Sequence, residues 1–203
     1  MATEVSICSN ALLRLGAAPI NSFDEADPEG SNIQRARLCS NLWPTVRQAV
    51  LRSHTWNCAT KRVLLSPDTT PPAFGFAYRF GYPSDWLRTL QIGEDENCAP
   101  RYRSESRYLL CDETALPLIY IFDNTVPGTY DSTLIGALEL AMAAALAYPV
   151  TKSTEVEQTK QGELRQAMQL ARTVDGQDDP AETLGDYPLL LSRRGGFYRG
   201  LGR

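Results

Sequence analysis

The sequence predicts an α+β fold: an antiparallel bundle of about four helices, a small antiparallel β domain inserted into it, and an extended C-terminal tail. Three observations lead to this prediction. Residues 130–150 form an almost wholly apolar segment, residues 3–15 and 154–173 have helical periodicity, and short strand-like runs lie between them. Helices and strands that are grouped separately along a chain are typical of α+β proteins.

The apolar segment is predicted to be the central helix. Asp131 is a good N-cap because its carboxylate can accept hydrogen bonds from the first turn, and Pro149 is expected to end the helix. Glu139 is the only charge in the segment. The fifteen residues 134–148 are fewer than the roughly 20 that a bilayer requires. We therefore expect a helix buried among protein partners, and no membrane.

Two helices are predicted before the β region. The first covers residues 3–15, stops at Gly16, and buries Val5, Cys8, Leu12 and Leu15. The second has two alternative starts, either Asp27 with Pro28 at the first helical position or Ser31 with Gln34 in a capping box. Its inward stripe is Ala36, Cys39, Trp43, Val46 and Val50, and we expect Pro44 to kink it.

A further helix is predicted after the central one. Thr154 and Glu157 form a capping box at its start, and Asp175-Gly176 ends it. Its inward residues should be Val156, Leu164, Met168 and Ala171.

Between the helices, six short runs are rich in aromatic and branched residues and are separated by Pro, Gly, Ser and Asp clusters, which is typical of antiparallel strands and turns. The predicted strands are residues 56–65, 76–80, 86–92, 102–105, 107–111 and 116–122. We therefore assign residues 1–55 and 128–175 to the helical bundle, 56–127 to the inserted β domain and 176–203 to a C-terminal arm.

The net charge of −4 conceals a segregation of charge. Residues 31–67 contain six bases and no acid, whereas residues 173–192 contain five acids and no base. Such blocks often mark interaction surfaces, although they can also pair within one subunit or stay solvated. We predict a subunit interface in which the bases of one copy face the acids of the next, formed by Arg47, Arg52, Asp175, Asp178 and Asp179.

His54 is the only histidine, and it invites two catalytic interpretations. It could pair with Cys58 as a nucleophile, or bind zinc with Cys58, Cys98 and Cys111. No orienting group or close cysteine pair supports either, so we favour a helix-terminal histidine and thiols that act as small hydrophobic groups. The five scattered cysteines indicate reduced, intracellular thiols.

The turns carry several carboxylates, at residues 94–96, Glu105, Asp112 and Glu113. A glycosidase needs two such groups in one cleft, but acids in turns more often serve as solvated turn formers. No phosphate loop or dinucleotide motif occurs, and the acidic balance argues against dedicated nucleic-acid binding. We predict no catalytic residue, no metal and no cofactor.

Five stretches together carry a family resemblance: residues 6–20 (SICSNALLRLGAAPI), 43–57, 64–67 (LLSP), 80–87 (FGYPSDWL) and 126–130 (VPGTY). Their order and spacing over about residues 3–175 resemble the tail tubular protein A family, the head-to-tail adaptors of short-tailed bacteriophages. The resemblance implies a structural protein of the virion tail, assembled in the host cytoplasm. It implies a ring of about twelve copies between the portal protein and the tail nozzle protein, through which the genomic DNA passes without sequence-specific binding.

The resemblance also implies an alternative function, because some members of the family have been proposed to degrade cell-wall or capsular polysaccharide. The turn carboxylates would then be the candidate catalytic groups.

The C-terminal arm lies beyond the resemblance. It lacks helical or strand periodicity, yet it is too apolar for a purely solvated tail, and segments of this kind commonly order on binding. We expect it to dock into a groove of the portal or of a neighbouring subunit through Leu189, Leu190, Leu191, Arg193, Arg194, Phe197, Tyr198 and Arg199.

Overall fold

The computed structural model describes residues 2–24, 31–94 and 100–178. These residues form four helices and two three-stranded antiparallel sheets, so the α+β class predicted from the sequence is confirmed. The helices are α1 (Glu4–Leu13), α2 (Ser31–Arg52), α3 (Ser132–Thr151) and α4 (Thr154–Asp175). The strands are β1 (Thr60–Leu65), β2 (Tyr78–Gly81), β3 (Trp86–Ile92), β4 (Tyr102–Glu105), β5 (Tyr108–Cys111) and β6 (Leu116–Phe122).

α1 begins at a complete capping box. The Thr3 side chain accepts from the Ser6 backbone N–H, and the Ser6 hydroxyl oxygen accepts from the Thr3 N–H. The chain leaves the helix through Gly16, whose φ of +72° suits a residue without a Cβ. The buried face consists of Ile7, Cys8, Ala11 and Leu12, so Ile7 and Ala11 take the central places that the sequence analysis gave to Val5 and Leu15.

α2 continues through Pro44 as one helix. Four of the five residues in its predicted stripe are buried, and Val46 is partly buried against the same core. Its first residue is Ser31. The alternative start at Asp27 and Pro28 lies outside the described residues.

α3 contacts each of the other three helices. Asp131 caps it as predicted, since the carboxylate accepts a 2.8 Å hydrogen bond from the Thr133 N–H. The prediction that Pro149 ends the helix is wrong, because α3 runs on to Thr151. Pro149 lies in the last turn of α3, and there it removes one backbone N–H from a helix end whose carbonyl groups already lack partners. Val150, which follows it, still packs on the core. The left-handed Lys152, with φ of 59°, then ends the helix.

α3 is also the one described helix that is long and apolar enough to cross a membrane by length and composition alone. Its mean hydropathy is 1.6, and 61% of the apolar window is buried inside the protein. The other helices thus cover most of the apolar surface of α3, as expected for a core helix.

The cap of α4 differs by one residue from the prediction. Ser153 is the N-cap and accepts from the Val156 N–H at 3.4 Å, while Thr154 is already helical. The helix ends at Asp175 and Gly176 as expected. Of its predicted inward residues only Ala171 is fully buried, whereas Val156, Leu164 and Met168 are half-buried.

The strands pair across long sequence distances. One sheet has the order β1-β6-β3 and the other β2-β5-β4, and all neighbours are antiparallel. A core between the strands contains Phe80, Leu109, Leu116 and Leu118. The opposite face of β6 contributes Ile121 to the core of the helices. The β1-β6-β3 sheet is therefore apolar on both faces at its centre.

Candidate interaction surfaces

Arg47 is an internal ion-pairing residue. It is 6% exposed, and its Nε and Nη2 each lie 2.9 Å from a carboxylate oxygen of Asp123. Its Nη1 lies 3.3 Å from Glu4 Oε1. These contacts join α2 to the segment after β6 and to α1. The prediction that Arg47 faces a neighbouring copy is corrected accordingly, because acids distant in the sequence neutralise Arg47 within its own chain.

Arg52 also serves a contact within the chain, although it is exposed. Its Nη1 donates to the Leu87 carbonyl, and its own carbonyl accepts from Arg88 Nη1 at 3.2 Å. Its guanidinium carbon lies 5.9 Å from the centroid of the Trp86 ring. Arg52 therefore ties the end of α2 to β3.

His54 and Asp175 bring the ends of α2 and α4 together. His54 Nε2 lies 3.3 Å from Asp175 Oδ2, and Asp175 accepts from the Asn57 backbone N–H at 3.2 Å. Burial lowers the pKa of His54, nearby Arg172 and Arg88 lower it further, and Asp175 opposes the shift. The net direction is downward, so His54 is mainly neutral at pH 7. Asp175 thus has partners in its own subunit, at His54 and Asn57.

Asp178 is exposed at the end of the described chain, and Asp179 lies outside the described residues. Within the subunit, Arg47 pairs with Asp123 and Glu4, whereas Arg52 contacts Leu87. The eight predicted contact residues of the C-terminal arm also lie outside the described residues: Leu189, Leu190, Leu191, Arg193, Arg194, Phe197, Tyr198 and Arg199.

The thiols are poorly placed for the zinc or nucleophile interpretations. Cys58 packs against the core of the helices, whereas Cys111 is buried in the core between the sheets. Burial raises the pKa of Cys58 to about 11, which disfavours a thiolate. Cys98 lies outside the described residues. Within ranges 2–24, 31–94 and 100–178, no three His, Cys, Asp or Glu side chains are grouped to hold a metal ion.

The turn carboxylates separate into different environments. Asp112 accepts from the Ala77 backbone N–H at 2.9 Å, and Glu105 pairs with Arg103 at 3.1 Å. Glu94 and Glu113 line one open concavity of about 520 Å³ between the ends of β3 and β6. Among the turn carboxylates that the structure describes, Glu94 and Glu113 share a cavity.

The loop 66–77 between β1 and β2 presents the most exposed large apolar side chain among the described residues. Phe74 is 88% exposed, next to Gly75 with φ of +89°. The base of the loop is held firmly. The Asp68 carboxylate accepts from Arg79 Nε at 3.0 Å and Nη2 at 2.8 Å, and Asp112 accepts from the N–H of Ala77. We call residues 66–77 the Phe74 loop.

Sequence reasoning missed two features of the structure, the partners of Glu139 and the Phe74 loop. The partner of Glu139 is Asn10, whose Nδ2 lies 2.7 Å away, together with Arg14, whose Nη2 lies 2.8 Å away. The spacing of Asn10 and Arg14, one helical turn apart, is the available signal, but it names no partner. For the Phe74 loop the signal is the run Pro-Pro-Ala-Phe-Gly-Phe, in which an apolar residue sits among turn formers.

Comparison of the chain with protein-family models gave no match, and no curated protein matches it either.

Proposed function

We propose that this chain is a structural virion protein that forms a ring of about twelve copies, the number that the family resemblance implies, and acts as a head-to-tail adaptor. In this proposal α1 to α4 form an antiparallel bundle, the strands form its inserted domain, and residues 176–203 form an arm. The ring lies between the portal protein and the tail nozzle protein and continues the DNA channel.

The observation that carries the proposal is the Phe74 loop. An exposed phenylalanine on a loop with a pinned base loses little conformational freedom on binding, and buried aromatic anchors dominate protein interfaces. Further large apolar side chains are exposed on the helices, at Leu13, Tyr148 and Leu170. Exposed apolar side chains thus occur both in the β region and on the helices. This distribution suits a ring subunit, because a heterologous interface uses two different surfaces of each subunit.

The test is the mass of the full chain, alone and with its portal protein, measured by native mass spectrometry and sedimentation. Phe74→Ser should reduce ring formation at least tenfold in apparent affinity, because the anchor is lost. Ala73→Ser, at the neighbouring exposed position, is the matched control and should assemble normally. A wild-type chain that stays monomeric with portal protein present would reject the ring.

A second candidate function rests on Glu94 and Glu113, which line one concavity. We propose as the alternative a polysaccharide- or peptidoglycan-degrading activity in which one carboxyl group donates a proton and the other acts as base or nucleophile. Cleavage of capsular or cell-wall glycan by the purified chain should then be lost in both Glu94→Gln and Glu113→Gln. Glu105→Gln, on β4 outside the concavity, is the control.

A further inference from the structure

A basic concavity lies on the helix-facing side of the β1-β6-β3 sheet, beside the residues that follow α2. Its volume is about 510 Å³, and its charged lining residues are Arg62 on β1 and Arg88 on β3. The wall also contains neutral polar side chains, among them Thr55 and Asn57. No Asp or Glu of the described residues lines it. The lining therefore has a positive potential that favours an anion.

The strand register places the two arginines on one face of the sheet, with β6 between them. Arg62 is paired with Ile119 of β6, and Arg88 is paired with Ile121, two residues further along. Alternate residues of a strand share a face, and Ile121 packs in the core of the helices. β1 and β3 are two strand spacings apart, about 10 Å. Both arginines therefore line the concavity from the helix side of the sheet, on opposite sides of β6.

The two arginines differ in how they are held. Arg88 is half-buried, and its Nη1 donates to the Arg52 carbonyl at 3.2 Å, which fixes the guanidinium near the end of α2. Arg62 is exposed and forms no ion pair within the described ranges. One guanidinium is thus preorganised, and the other is free to close on a ligand.

The placement of these two groups favours a tetrahedral oxyanion over a carboxylate. A carboxylate has two oxygens in one plane, and a single arginine fork satisfies both of them. A phosphate monoester has a charge of about −1.5 to −2 and three acceptor oxygens, so it can accept from two forks that are not coplanar. Ligand pockets in proteins commonly measure about 300–1,000 Å³. The concavity is in this range, and linked phosphate groups would fill it better than one phosphate ion.

We propose that this concavity binds a small molecule that contains two or more linked phosphate groups. Arg88 holds one phosphate in place, and Arg62 closes on the next. Thr55, which is exposed in the lining, supplies a hydroxyl donor. Ile119 is half-buried between the two arginines and offers an apolar surface to the rest of the ligand. The proposal goes beyond the adaptor function and does not depend on it.

Calorimetric titration of the full chain with tripolyphosphate tests the site. We expect saturable binding that is weakened roughly tenfold or more in Arg62→Gln and in Arg88→Gln, because charge-assisted hydrogen bonds are lost. Arg62 is exposed, so its variant should fold even if Arg88→Gln does not. Arg103→Gln is the matched control, because Arg103 is exposed on β4 and pairs with Glu105 instead, and it should bind like wild type. No saturable binding, or an equal loss in Arg103→Gln, would overturn the proposal.

Three further probes distinguish the ligand classes. Orthophosphate and citrate should each bind more weakly than tripolyphosphate, since the first lacks a linked phosphate and the second carries carboxylates. Citrate that binds as tightly as tripolyphosphate would overturn the assignment to phosphate. A single-stranded oligothymidine presents phosphodiester groups instead. If it bound more tightly than tripolyphosphate at equal phosphate concentration, the proposal would be overturned in favour of a nucleic-acid strand.

His54 gives an independent readout, because it is the only histidine of the chain. Burial lowers the pKa of His54, Asp175 raises it, and the charges of Arg172 and Arg88 lower it further. An anion bound at Arg88 offsets part of this positive charge, so it should raise the pKa of His54. The imidazole proton signals in NMR spectra should therefore shift when tripolyphosphate is added to wild type, and should stay in place in Arg88→Gln. Wild-type signals that do not move at saturation would overturn the site.

Discussion

The guanidinium of Arg47 holds together segments from three parts of the chain: α1, α2 and the residues after β6. Its side chain is 8% exposed and that of Asp123 is 16% exposed. Truncation would leave the carboxylates partly buried without their cation. Removing one partner of a buried ion pair lowers the free energy of unfolding by about 3–5 kcal/mol. This loss exceeds the stability that the intact pair provides relative to well-packed apolar residues in its place.

We therefore expect Arg47→Ala to lower the free energy of unfolding by about 3 kcal/mol, measured by urea denaturation. Arg37→Ala is the control, because Arg37 is an exposed residue of the same helix, and it should change stability by less than about 0.5 kcal/mol. Equal stability of the two variants would show that the Arg47 pair is not structural.

His54 predicts a pH dependence of stability. Its pKa in the folded chain is lowered, chiefly by burial, from the ordinary value of 6.5. The unfolded chain therefore binds the proton more readily, and stability present above pH 6.5 is lost as the pH falls below it. Denaturation of wild type and His54→Gln between about pH 5.5 and 7.5 should show a steeper loss in wild type. If the stability of the two proteins changed with pH in parallel, His54 would not contribute to the pH dependence of stability.

At the scale of the element, α3 depends on small side chains. Ala137, Ala143 and Ala147 are fully buried, at 0% exposure, while Ala145 in the same helix is half-buried. Three other helices contact α3, so extra methyl groups at the buried positions have no space to enter.

Ala143→Leu should therefore destabilise the chain by about 1–3 kcal/mol. Ala145→Leu has the same change in volume and helix propensity, and should cost clearly less. Thermal unfolding of both variants measures the difference. If Ala145→Leu were as harmful as Ala143→Leu, loose packing around α3 would be indicated instead.

The elements themselves were largely readable from the sequence. Strand positions followed from local composition, and β3, β4 and β6 have the predicted bounds. The order β1-β6-β3 was not readable, because periodicity does not specify which strands pair. The end of α3 was misplaced, because tertiary packing of Val150 outweighed the local effect of Pro149.

The internal pairing of Arg47 was missed for a related reason. Charge blocks describe neighbours in sequence, while Arg47 and Asp123 pair across 76 positions, and His54 and Asp175 meet at the ends of two distant helices. Solvent exposure of Phe74 likewise depends on the strands that frame its loop. Sequence reasoning therefore found the Asp131 cap of α3 and the strands, and could not find contacts between distant segments.

At the scale of the whole molecule, these internal pairs change what should drive assembly. Three of the described residues predicted to form the charged interface have partners within the subunit. Arg47 pairs with Asp123, Asp175 accepts a hydrogen bond from Asn57, and Arg52 donates to the Leu87 carbonyl. The exposed apolar side chains, led by Phe74, are the groups that the proposed ring would use between subunits. Association through apolar groups is weakly affected by ionic strength, whereas exposed ion pairs are screened within about 10 Å at 0.1 M salt.

We expect the proposed ring to keep its mass when salt is raised from about 0.05 M to about 0.5 M, a range that strongly screens exposed charges. Arg52→Glu should weaken assembly less than Phe74→Ser does, provided that its circular dichroism matches wild type. Sedimentation at both salt concentrations makes the comparison. Dissociation at high salt, together with a larger effect of Arg52→Glu, would restore the charged interface as the driving contact between subunits.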